Sequence, residues 1–76
     1  MPLFRISVVN ETFHACDEHD LPDLDAAKTE AIKGALQVGS AEVLEGKPFF
    51  GAEVCVEEEG GKVGRFVVSV GVSPLR

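Results

Sequence analysis

The side chains best suited to chemistry are concentrated in one run, His14-Ala15-Cys16-Asp17-Glu18-His19-Asp20. Imidazole nitrogens and a thiolate are ligands for a borderline-soft cation, and Zn²⁺ usually takes four such groups in tetrahedral geometry. On an extended strand His14 and Cys16 project from the same face, and His19 or a neighbouring carboxylate could fold back from an acidic loop to join them. His14, Cys16 and His19 are therefore the candidate metal set and zinc the ion that suits them. Cys55 would be a fourth ligand if its strand lay alongside. The spacing H-x-C-x-x-H is not a strong zinc signature, and no CxxC half accompanies it. The plainer reading is a polar strand end running into a solvated acidic loop.

Other chemistry is harder to assemble. A reactive thiolate needs an electropositive neighbourhood, but Cys16 precedes Asp17 and Glu18, and Cys55 lies between Glu53 and Glu57. His14 beside Cys16 could act as a base, yet no third group orients the pair. Glu57-Glu58-Glu59 and the acids from Asp17 to Asp25 supply carboxylates for acid–base work, but at a turn and a helix start they stand in water. Gly60-Gly61-Lys62-Val63-Gly64-Arg65 resembles a phosphate loop in composition only, because the Walker spacing is missing and a strand follows it. The expectation is not an enzyme.

The elements that position these residues can be read from periodicity. Leu21 to Gly46 is the one segment long enough for a substantial helix. Leu24, Ala27, Ala31, Ala35 and Val38 share a stripe that Ile32 and Leu36 widen, and Glu30, Lys33, Gln37 and Ser40 fall opposite. Asp23 is the expected N-cap after Pro22. Gly46 is the expected left-handed C′ residue, with Lys47 and Pro48 beyond it. Gly34 and Gly39 weaken the interior by roughly 1 kcal/mol each, and Glu42 turns back toward the buried side. The helix is therefore expected to bend or fray beyond Gly39.

Leu3 to Val9 alternates, with Phe4, Ile6 and Val8 inward. A turn at Asn10-Glu11 leads into a short second strand ending at Cys16, with Phe13 and Ala15 toward the core. Phe49 and Phe50 are expected to plug one end of the core. Ala52, Val54 and Val56, then Phe66, Val68 and Val70, are the inward residues of a second hairpin that turns at Glu58-Glu59-Gly60-Gly61. The fold class is α+β, in the order β-β-α-β-β: a four-stranded antiparallel sheet with one long helix packed on one face. A single domain spans residues 1–76, with hairpins near 3–16 and 51–72, a helix near 23–45 and strand order 2-1-3-4.

Composition narrows the function classes. A net charge of −6, with seven scattered Lys and Arg residues, argues against a nucleic-acid binder. No apolar run approaches a membrane span, and MPLFRISVV does not read as a signal peptide. A cytoplasmic protein with reduced thiols is expected. The chain is short enough that a partner or second subunit would add usefully to its stability.

The opening MPLFRISVVN, the acidic stretch, DLPDLDAAKTEA at the helix start, EGKPF at its end and the acidic-Gly hairpin together resemble a family of small bacterial proteins known only as a domain of unknown function. The most specific part is Leu21-Pro22-Asp23 with Asp25-Ala26-Ala27 and Glu30-Ala31. The resemblance implies the β-β-α-β-β order and a bacterial cytoplasmic setting, and it transfers no catalytic residue. Gly39-Ser40 departs from the pattern, where better helix formers are expected.

One helix can cover only one face of the sheet. Leu3, Arg5, Val9, Val63, Arg65 and Val67 are expected on the other, a partly apolar surface suited to contact. The chain thus reads as a non-catalytic protein-interaction or self-association module, with a protein partner or homodimer through the sheet face or an edge strand. Binding of a metal or small ligand at His14, Cys16 and His19 is the alternative.

Overall fold

The computed structural model describes residues 2–75; Met1 and Arg76, the ends of the expected 1–76 domain, lie outside the described residues. Its elements are β1 (Leu3–Asn10), β2 (Phe13–Asp20), α1 (Leu24–Leu44), β3 (Phe49–Glu58) and β4 (Gly61–Gly71). The strands form one antiparallel sheet in the order β2-β1-β3-β4, as the sequence leads one to expect. The core lies between the sheet and the helix. Phe4, Ile6 and Val8 of β1, Phe50, Ala52, Val54 and Val56 of β3, and Val68 of β4 are buried against Ala27, Ala31 and Ala35. Each fully buried Val or Phe contributes roughly 1.5–3 kcal/mol through removal from water.

The helix starts and stops where its caps dictate. Asp23 is extended and its Oδ1 accepts from the Ala26 amide at 2.8 Å. Gly46 has φ of 114°, a conformation open to glycine at little cost, and its amide donates to the Val43 carbonyl. The expected weakness at Gly39 is corrected by the packing. The helix runs unbroken to Leu44, and Gly39 is buried in its contact with the sheet. A Cβ there would come within 2.7 Å of Phe50 Cδ2 and 3.0 Å of Val70 Cγ2. Ala27, Ala31, Ala35 and Gly39 form a ridge of small residues that lets the backbone lie close to the strands. Glu42 does return toward the sheet, and its carboxylate is held by Lys47 Nζ at 3.3 Å.

Four further expectations are corrected. β2 does not stop at Cys16: it pairs with β1 along its whole length to Leu3↔Asp20, so the acidic loop is strand. The low strand propensity of Asp and Glu is outweighed by the ladder bonds that β1 offers. Phe50 is buried, but Phe49 is 63% exposed. Ile32 and Leu36, expected to fill the flanks of the core, are 40% and 42% exposed, because the close-lying small ridge carries the contact. Glu30, expected in water, is half-buried and lines a groove beside β2.

Candidate functional site

Pleating sorts the candidate residues onto two faces. His14 pairs with Val9 and Cys16 with Ser7, all on the outer face, away from the helix. His19 pairs with the buried Phe4 and so stands on the helix side, together with Asp17, which pairs with Ile6. The three expected ligands are thus not brought together. A residue expected to fold back from a loop is instead locked in the strand, an odd number of positions from Cys16. Among the described residues, no three His, Cys, Asp or Glu side chains gather closely enough to hold a metal ion.

The two cysteines are also apart. Both pair with Ser7, from opposite sides of β1. Two strand spacings separate their Cα atoms by about 10 Å, beyond the ~7 Å limit for a disulfide. Ser7 Oγ lies 3.6 Å from Cys16 Sγ, a weak contact between neighbours on the open surface.

On the helix side, α1 packs on β3 and β4, less on β1, and scarcely touches β2. A groove of about 260 Å³ remains between β2 and the helix, with Phe13, Ala15 and Val38 in its walls and Asp17, His19 and Glu30 beside them. Among the described residues no polar or charged side chain is buried, there or elsewhere.

Among the described residues, no element covers the outer face. Leu3, Arg5, Val9, Arg65 and Val67 are exposed on it, as the sequence predicts. Val63 is not with them. A register shift at Val56/Glu57 interrupts the alternation of β4, and Val63 packs half-buried against the core instead. Arg65 donates to Glu53 at 2.7 Å and Arg5 to Glu18 at 3.3 Å. These exposed pairs are worth at most about 1 kcal/mol each and act mainly to fix the surface charge pattern.

Sequence reasoning missed the most prominent member of this face. Phe49 pairs with Gly71, and its ring lies over neighbouring glycines. A Cβ on Gly51 would come within 3.0 Å of the ring, and one on Gly71 within 3.6 Å. With Val9, Glu53 and Val67 the ring borders a hollow of about 530 Å³. The signal was present: extending the inward series Val56, Val54, Ala52, Phe50 backward by one residue places Phe49 outward.

The model of one protein family covers residues 3–69 of the chain. The chain belongs to the DUF6894 family. The family is described as a domain of unknown function, so membership carries no activity or ligand with it. No curated protein and no solved structure matches the chain. In this DUF6894 domain the Leu21-Pro22-Asp23 segment has a structural role, since Leu21 N–H bonds the Pro2 carbonyl and Asp23 caps the helix. Among the described residues, no helix is long and apolar enough to cross a membrane.

Proposed function

We propose that this domain is a non-catalytic protein-interaction module whose contact surface is the outer face of the sheet, centred on Phe49. The observation that carries the reading is that aromatic ring, 63% exposed and lying against Gly51 and Gly71, with Val9 and Val67 further along the face on either side of Glu53, where no element among the described residues covers it. Exposed aromatic and arginine side chains are the usual anchors of protein interfaces, and here Arg5 and Arg65 flank the apolar residues. The acidic balance supports a protein partner over nucleic acid, and two free thiols suit a reducing, cytoplasmic setting.

A photo-crosslinking amino acid at Val67, compared with one at Lys33 on the exposed helix, tests the reading in cells. Discrete adducts from position 67 with proteins other than a second copy of this chain, which Phe49→Ala removes, are expected. Equal adducts from both positions, or none from position 67, would refute it.

A further inference from the structure

We propose that two copies of this domain pair antiparallel along β4, extending the sheet to eight strands and setting their helices side by side. This goes beyond the outer-face reading, because it concerns the sheet edge and the helix flank, and the two can fail separately.

The backbone phase comes first. The Val72 amide donates to the Pro48 carbonyl at 2.8 Å, in the register that pairs Phe50↔Val70, Ala52↔Val68 and Val54↔Phe66. Residues bonded to β3 alternate with residues facing outward, so Arg65, Val67 and Ser69 turn their N–H and C=O groups to the free edge.

The chemistry of the two edges then differs sharply. β2 carries Asp17, Glu18, His19 and Asp20, two of them on the helix side, the pattern by which edges are protected from pairing. β4 from Phe66 to Gly71 has no charge at all. It is the unguarded edge.

The helix is also on the correct side. Its buried ridge contacts both β3 and β4, with the Gly39 position against Phe50 and Val70. With its lesser contact on β1, the helix lies over β3 and β4; placed over the gap between them, its axis stands about 5 Å from the midline of a β4–β4 pair at a strand spacing of about 4.8 Å. Two such helices stand about 10 Å apart, at the 8–10 Å separation of packed helices. Lys28 overlies Gly64 and Gly39 meets Val70. Ile32 and Leu36 fall between them on the same flank, at helical spacing and directed past the edge. Their exposure is what a second helix would remove.

One two-fold register satisfies all of this. With the axis at Val67, Val67 opposes its own copy, Arg65 opposes Ser69, and Phe66 opposes Val68, so no like charges meet. Val67 is midway between Gly64 and Val70. Ile32 and Leu36 bracket the middle of the segment from Lys28 to Gly39, so Ile32 of one copy lies level with Leu36 of the other. The outer faces, with both Phe49 rings, become one continuous surface.

Sedimentation equilibrium over about 5–500 µM tests this, since pairing follows mass action. The expected mass rises to twice the 8.1 kDa of the chain. Ser69→Pro removes an amide that makes no bond within one copy, so it should keep the fold, seen by circular dichroism, and abolish the rise. The double variant Ile32→Glu/Leu36→Glu should do the same, and decides the matter if the proline variant fails to fold. Phe49→Ala should leave the dimer intact. A wild-type mass that stays monomeric throughout, a dimer that persists in the helix-flank variant, or one lost through Phe49→Ala alone overturns the proposal.

Discussion

Replacing Gly39 with alanine should destabilise the domain, although alanine is the better helix former. Propensity alone favours the change by roughly 1 kcal/mol. The new Cβ, however, would come within 2.7 Å of the ring of Phe50 and 3.0 Å of Val70. Phe50 is 2% exposed, and the contact falls on its aromatic ring rather than on the far end of a flexible side chain. Overpacking of this kind typically costs about 1–3 kcal/mol, so the net effect is a loss of about 1 kcal/mol. For a domain of this size that lowers Tm by roughly 4–8 °C. Gly34 supplies the control. A Cβ there meets nothing within 4 Å, so Gly34→Ala should deliver the propensity gain and raise Tm. Urea unfolding of both variants reads the difference as opposite shifts in midpoint, with unchanged slopes. If Gly39→Ala stabilises as much as Gly34→Ala, the helix does not lie as close to the sheet as described, and the small-residue ridge loses its explanation.

Three further outcomes follow from the same structure. Phe50→Ala should lose about 3–5 kcal/mol, comparable to all that the core of so small a domain supplies, whereas Phe49→Ala should keep a cooperative melt; equal losses would place both rings in the core. Asp23→Ala removes the cap on the Ala26 amide and should cost about 1 kcal/mol in urea unfolding; an unchanged midpoint would mean that water caps the helix equally well. Under mild oxidation, mass spectrometry of dilute protein should show no internal Cys16–Cys55 bond, because β1 lies between them; its rapid formation would contradict the strand order.

The local pattern carried much of the fold. Alternation along Leu3–Val9 and Ala52–Val56 identified the faces of β1 and β3, and the Ala27-Ala31-Ala35 stripe identified the buried side of the helix. These signals depend on backbone geometry alone, with a period near two or near four, and they survive without knowledge of any neighbour. Asp23 and Gly46 were legible for the same reason, since capping is a matter of a few consecutive residues.

What the sequence could not supply was everything set by a partner distant along the chain. The acidic run 17–20 became strand because β1 was there to bond it, and this put His19 on the face opposite His14 and Cys16. Val63 turned inward because β3 and β4 shift register beside it. Gly39 proved to be a contact point rather than a flaw, since Phe50 occupies the space a side chain would need. Phe49 stood outside because β3 begins earlier than its composition suggests. The sequence by itself determined the order of the elements, the family and the helix ends. Tertiary structure decided which side chains share a surface, because long-range pairing assigns the faces and no local pattern encodes it.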